Sequence, residues 1–431
     1  MPHRHPCLLA DPPQRPGRVW LTDALLFDGT GAAPVPGSAV LVQDGRVVRV
    51  GTVRDAVPEG AQVVDLGGRV LMPGLIDAHA HVFVDPPVPE EGAEPVRVGV
   101  TAHLVATRLR ERLSAGVTTL RDVGSYRDEV LTVRQAMRYG AFRGPRLLTC
   151  GRIVSATAPG GRSFDGMYRE ADGCDDMRRA VREQLRRGAD LVKVMSTGAR
   201  SVELEDPEPA QLTRPEAAAL VEEAHRLGYR VAAHAEGLAG TELAVTLGVD
   251  TIEHGMYLWR RPDLLDVMAA AGQTLVPTLS CYYGVGGLGD RIGFGPDDGH
   301  STWARPLVDL AHHNLSEAER TLRAAHTAGV AIALGHDWNP FGDVGLELAR
   351  MVHHGLPLHA ALAATTGTAA RALGLAEHVG TVAAGQIADL VVLDTHELVD
   401  VAALRDPGRI WRVYQGGEPV AGSSLIAESA A

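Results

Sequence analysis

Cysteine, positive charge and long apolar runs are scarce in this chain, and each shortage excludes something. The four cysteines, Cys7, Cys150, Cys174 and Cys281, are far apart and form no Cys-x-x-Cys, so they do not read as a disulfide framework. A reduced, cytoplasmic setting is the expectation. Aspartate and glutamate outnumber lysine and arginine by 53 to 41, a net charge of −12. With no Lys/Arg stripe to override that balance, no nucleic-acid partner is expected. No stretch approaches the roughly 18 apolar residues of a membrane span, and the first residues lack the apolar core of a signal peptide. No membrane partner is expected either.

What remains is an ordinary globular composition, 45% hydrophobic and 22% charged, over 431 residues. That length exceeds one small core and fits a large barrel with a satellite domain. Short strand patterns fill the first seventy residues, at 18–26, 38–43, 46–51 and 62–65, with turn pairs such as Asp44-Gly45 and Gly67-Gly68 between them. They return at 388–393 and 410–414. Between the two ends the pattern becomes strand, loop, helix, repeated, which argues for a parallel α/β architecture. Eight candidate strands fall at 71–81, 118–124, 146–151, 191–195, 230–235, 250–255, 274–280 and 331–337. The expected fold is a (β/α)8 TIM barrel over 73–379, with a small β-sandwich domain assembled from 1–72 and 380–431.

Helix signals punctuate the middle. Thr213-Arg214-Pro215-Glu216 has capping-box spacing ahead of 217–227, and Gly228 stops that helix. Ser316-Glu317-Ala318-Glu319 has the same form ahead of 320–327. Gly116 and Gly188 stand where two further helices should end. Two connections, 83–100 and 281–315, are too long for turns and predict lids or specificity elements on the reactive face.

His79-Ala80-His81 ends the first barrel strand. Residues i and i+2 of a strand share a face, and two buried imidazoles aimed one way each need a partner. A metal ion is a partner that needs two. His3-Arg4-His5 has the same form but sits in a Pro- and Arg-rich stretch without strand pattern, read as disordered. Strand four, Leu191-Val192-Lys193-Val194-Met195, carries a lysine in an apolar strand. It is either an ion-paired, snorkelling side chain or an amine whose pKa burial lowers, able to take up CO2 as a carbamate. Strands five and six end at His234 and His254, and strand eight ends at Gly335-His336-Asp337. Singly, each histidine reads as a core residue and Asp337 as a helix cap. Jointly, five strands deliver a ligand-type residue at one end. His312-His313 and His353-His354 are adjacent on helical patterns, share no face and read as non-ligands. Glu203, Glu205 and Asp206 read as a solvated acidic loop.

The pattern resembles the metal-dependent amidohydrolase superfamily along nearly the whole chain. The motifs are Pro73-Gly74-Leu75-Ile76-Asp77-Ala78-His79-Ala80-His81, Gly116-Val117-Thr118-Thr119-Leu120-Arg121-Asp122, Ile252-Glu253-His254-Gly255 and Gly385-Gln386-Ile387-Ala388-Asp389-Leu390. Within it, Lys193-Val194-Met195-Ser196-Thr197-Gly198 and Glu347-Leu348-Ala349-Arg350-Met351-Val352 resemble the imidazolonepropionase-like and Xaa-Pro or Xaa-Arg dipeptidase-like branch. The resemblance implies a homo-oligomeric hydrolase with two divalent ions, most often Zn2+. His79, His81 and Asp337 would hold one, His234 and His254 the other, and carboxylated Lys193 would bridge them. It further implies attack by a metal-bridging hydroxide on a carbonyl carbon, with Asp337 shuttling the proton to a leaving nitrogen. Tyr282 and Tyr283 are the candidate oxyanion donors, and the choice between them stays open.

Two departures bear on substrate. The stretch Ala156-Thr157-Ala158-Pro159-Gly160-Gly161 lacks the histidine usual after strand three in dipeptidase-like members, and His336 replaces the threonine usual before the acid. Arg152, Arg200 and His336 are the candidate substrate contacts. The expected activity is cleavage of an amide C–N bond in a small molecule such as an N-acyl amino acid or a dipeptide-like compound. The alternatives are a one-metal cyclic-amide or imidazolone hydrolase or deaminase, a one-metal lyase, and a metal-free scaffold protein.

Overall fold

A computed structural model describes residues 17–83, 98–126, 128–202, 204–288, 291–292, 305–337 and 343–425. His3-Arg4-His5, Cys7, Glu203 and much of both long connections lie outside the described residues. Five strands come first: β1 (Arg18–Leu26), β2 (Val35–Gln43), β3 (Arg46–Thr52), β4 (Ala61–Asp65) and β5 (Val70–Pro73). The middle of the chain holds β6 (Leu75–Ala80), β7 (Val117–Asp122), β8 (Arg146–Thr149), β9 (Ile153–Ser155), β10 (Tyr168–Glu170), β11 (Leu191–Met195), β12 (Arg230–Ala235), β13 (Thr251–His254), β14 (Thr274–Val276) and β15 (Ala331–Ile332). β16 (Leu390–Leu393), β17 (Ile410–Gln415) and β18 (Glu418–Ala421) come last.

Strands from the two chain ends join in one eight-stranded sheet, ordered β18-β17-β16-β5-β1-β2-β3 with β4 on β1. Asp44 and Gly45 turn β2 into β3 with φ of 52° and 77°, the left-handed pair that a tight hairpin needs. The hydrogen bonds join these strands in a single sheet.

The middle strands form a TIM-barrel-like α/β fold. β6-β7-β8 and β10-β9-β11-β12-β13-β14-β15 are parallel throughout. Beyond β15 the chain runs on beside β6, where Ala78 N donates to Leu334 O at 2.8 Å and Asp337 N to His79 O at 2.9 Å. β9 and β10 are additions that the sequence pattern did not announce.

The single strand expected at 71–81 is two strands. β5 pairs with β1 and β16, and β6 pairs with β7. The break falls at Gly74, where a Cβ would stand 2.1 Å from Thr118 Oγ1. Both halves are buried, so the apolar run reads as continuous. The seventh strand also stops early, at Val276. Thr278 turns at φ 47° and a helix, Leu279–Val285, begins.

The capping box at Thr213 forms as expected, opening helix Arg214–Arg226. The one expected at Ser316 does not. A single helix, Arg305–Thr327, runs through it, because Val308, Ala311, Leu315, Ala318, Leu322 and Ala325 keep a 3–4 residue apolar period. Glu317, assigned to the second position of the expected helix start, is buried there and accepts from Trp259 Nε1 at 2.8 Å and Arg260 Nη2 at 2.7 Å. Much of the expected long loop 281–315 is therefore helix, and 98–100 opens helix Val98–Ser114.

Candidate metal centre and its cavity

Parallel strands end together, so His79, His81, Lys193, His234, His254 and Asp337 arrive at one end of the barrel and line one cavity of about 480 Å³. The backbone is strained where it turns out of the strands. Of the non-glycine residues with positive φ, His254 (71°), Thr278 (47°) and Asp337 (59°) sit at this rim, a conformation that persists only where surrounding structure fixes it.

Each histidine is held by one ring nitrogen. His79 Nδ1 donates to Glu253 Oε2 at 2.6 Å, and His81 Nδ1 to Gly124 O at 2.7 Å. His254 Nδ1 meets Thr278 Oγ1 at 2.7 Å, and His234 Nε2 donates to Gly198 O at 3.1 Å. This fixes the rings and leaves the opposite nitrogen for a ligand, the arrangement metal-binding histidines use. His79 Nε2 and His81 Nε2 both turn to Asp337 Oδ1, at 3.3 and 3.1 Å. The tightest donor group, within 4.8 Å, is His79, His254 and Asp337, one histidine from each expected pair. Such imidazole and carboxylate donors fit a divalent first-row ion.

Lys193 lies in the floor of the same cavity, 2% exposed. Burial pulls its pKa below the ordinary lysine value, while Glu253 and Asp337 pull the other way. Among the described residues its amine meets no hydrogen-bond or ion-pair partner. The snorkelling, ion-paired alternative is therefore absent. Burial likewise keeps His234 neutral, its pKa pushed down to about 3, with Lys193 adding to the effect. Burial alone would raise Asp337, but His79 and His81 hold it well below the carboxylate range.

The sequence reading missed the support behind the donors. Glu253 is fully buried and ion-paired to Arg121 Nη2 at 2.8 Å, and Arg121 also donates to Thr251 Oγ1 at 3.0 Å. Asp122, also buried, accepts from Val82 N at 2.9 Å and from Thr149 Oγ1 at 2.6 Å. A carboxylate inside an apolar strand was the available signal, since it needs a buried partner.

The remaining candidates separate. Tyr282 lines the cavity, and its hydroxyl is buried with no hydrogen-bond partner among the described residues. Tyr283 does not line it. Its hydroxyl donates to Ile292 O at 2.6 Å and meets His354 Nε2 at 2.8 Å, and Arg350 stacks on its ring at 3.9 Å. Both sit on a helix, not in a loop. Arg200 lines the cavity, paired with Glu208 at 2.6 Å and 3.6 Å from Glu236, with its Nε lacking a hydrogen bond. Arg152 and His336 are absent from the cavity wall. Arg152 is drawn back to Gln184 through its backbone, and His336 N faces Asp77. Glu205 is no solvated residue: it accepts from Gly160 N at 2.6 Å and Ala199 N at 2.8 Å, tying two rim loops together. The stretch lacking the expected histidine forms a short helix, Pro159–Ser163, and the residues after it place Phe164, Met167 and Tyr168 on the cavity wall.

Residues 70–420 match the amidohydrolase family. Ochratoxinase of Aspergillus niger is 29% identical over 437 residues, covering 93% of this chain and 86% of that protein. Its crystal structure superposes with a TM-score of 0.81 at 27% identity, covering 94% of this chain and 96% of the other. Imidazolonepropionase of Cereibacter sphaeroides is 27% identical, covering 91% and 97%. A Xaa-Pro dipeptidase with bound methionine shares the fold, with a TM-score of 0.82 at 24% identity over 94% of this chain and all of the other.

Proposed function

Because the chain belongs to the amidohydrolase family and is a hydrolase of carbon–nitrogen bonds, we propose that it cleaves the amide bond of an N-acyl amino acid or a similar dipeptide-like molecule, using two divalent ions. The observation that carries this reading is the anchoring of all four histidines through one ring nitrogen each, around a buried, unpartnered lysine. His79, His81 and Asp337 would hold one ion and His234 and His254 the other, with carboxylated Lys193 between them. A carbamate fits Lys193 because a neutral amine in a dry floor gains an anionic, two-oxygen group where cations would sit.

Bound divalent ions supply Lewis acidity and lower the pKa of a water molecule to near neutrality. The chain's own groups do the rest. The Asp337 carboxylate accepts a proton and returns it to the leaving nitrogen. The Tyr282 hydroxyl donates to the oxygen on which charge develops. Arg200, at the mouth, brings a guanidinium whose Nε–H makes no hydrogen bond, only a 3.6 Å ion pair with Glu236, to a substrate carboxylate. Phe164, Met167, Tyr168 and Val285 exclude water from the apolar part of the substrate.

The deciding experiment is metal content per chain on protein purified without chelator, for the parent and for Lys193→Ala. About two zinc-type ions in the parent, falling sharply in the variant, is the expected result. One ion, unchanged by the substitution, would replace this reading with a one-metal cyclic-amide hydrolase or deaminase. No metal with the fold intact would make the protein a scaffold.

A further inference from the structure

Asn314 is 2% exposed, lines the cavity and has its Oδ1 buried with no hydrogen-bond partner among the described residues. It stands on helix Arg305–Thr327, whose cavity-facing neighbours are Leu307, Leu310 and Ala311. Cys281, Tyr282 and Val285 line that part of the wall from the helix Leu279–Val285. A primary amide offers one acceptor oxygen and two donor hydrogens, and burying it unpaired destabilises the free protein. Leucine would fill the position in keeping with the rest of that helix face. Among the described residues no group supplies that partner, and what enters the cavity can. Tyr282, a residue 3% exposed that lines the same cavity, has a second buried polar atom, its hydroxyl, without a hydrogen-bond partner among the described residues, so the deficit is a property of the wall and not of one side chain.

We propose that Asn314 is a specificity-determining contact that hydrogen-bonds a neutral polar substituent, a hydroxyl or a carboxamide, carried on the otherwise apolar body of the substrate. The inference rests on the amide-hydrolase reading and deepens it. Neutrality follows from the surroundings. The other cavity-lining residues of these two helices are Cys281, Tyr282, Val285, Leu307, Leu310 and Ala311, with no Asp, Glu, Lys or Arg among them, and an ion desolvated against them would find no counter-charge on either helix. A neutral group that both donates and accepts loses far less on leaving water and regains it at the amide. An anionic group is served instead by Arg200.

The test uses zinc-loaded protein and N-benzoyl-L-phenylalanine, with a hydroxyl or carboxamide placed in turn on either ring. The parent should prefer at least one substituted compound over the unsubstituted one by about 10-fold or more in kcat/KM. In Asn314→Leu that ratio should fall to near one, and the Tm should equal or exceed the parent's. An unchanged ratio would overturn the proposal, as would a marked drop in Tm, which would reveal a structural partner. Calorimetric affinities for the same compounds give the ratio without turnover. Binding with the expected ratio but no hydrolysis would fail the hydrolase reading alone. Absence of binding by every compound would fail the Asn314 contact.

Discussion

At the metal end of the cavity His79 leans on Glu253, His81 on the Gly124 carbonyl and His254 on Thr278, and Glu253 leans in turn on Arg121. On the opposite wall the Tyr282 hydroxyl and Asn314 Oδ1 have no hydrogen-bond partner among the described residues, and at the mouth the Nε of Arg200 has only the Glu236 carboxylate, at 3.6 Å. The first region is finished before anything binds, which is what placing ligands within a fraction of an ångström requires. The second is left incomplete in the free protein, at a cost in stability that binding recovers. The same cavity thus keeps recognition on Asn314 and Arg200 and chemistry on the metal-end residues, with Tyr282 serving the chemistry from the incomplete wall, and substitutions should separate these roles.

Asp337→Asn should have the largest effect. The amide is isosteric and tolerates φ near 59° as aspartate does, so the fold survives. It cannot accept the proton, and His79 and His81 lose the anion they face. The expected loss in kcat is roughly 10³–10⁴-fold, with KM changed much less because the apolar wall is intact. A variant that changed KM and kept kcat would erase the division between the two regions.

That division was legible in the sequence on one side only. The donors were readable because each ends a strand, and strand ends are local patterns. His79 and His81 declare themselves by period two, and Lys193 by its apolar neighbours. Glu253 was present in Ile252-Glu253-His254 but points the other way from its neighbours, and only its distant partner Arg121 explains it. Asn314 carried no signal, since one polar residue on a helix reads as solvent-facing until the tertiary fold covers it. The capping box at Ser316 misled because local hydrogen-bonding preference yields to a core period that runs straight through it. The break at Gly74 was hidden because two different sheets bury consecutive segments.

The adjacent tyrosines sharpen the comparison at smaller magnitude. Tyr282→Phe removes a hydroxyl that bonds nothing in the free protein. Stability should hold or rise, while kcat falls by roughly 10²-fold, the usual effect of losing an oxyanion donor. Tyr283→Phe should do the reverse. It strands Ile292 O and His354 Nε2, costing about 1–3 kcal/mol in urea unfolding, with kcat lowered far less than in Tyr282→Phe. Equal kinetic losses in both variants would mean that the helix Leu279–Val285 acts only as a packing unit.

The two arginines give the smallest and most selective effects. Arg200 lines the cavity, its Nη2 on Glu208 at 2.6 Å and its Nε only 3.6 Å from Glu236 and without a hydrogen bond, whereas Arg152 is outside the wall. Arg200→Ala should raise KM roughly 10-fold for N-benzoyl-L-phenylalanine, since a charge-assisted hydrogen bond contributes about 1.5–3 kcal/mol and part of it is screened at an open mouth. The corresponding amide with no carboxylate should lose less. Arg152→Ala should leave KM for both within about 2-fold, being a substitution away from the site. If Arg152→Ala weakened the acid selectively and Arg200→Ala did not, the carboxylate would enter from the β8 side of the barrel, and the wall assigned to recognition would have to be redrawn around it.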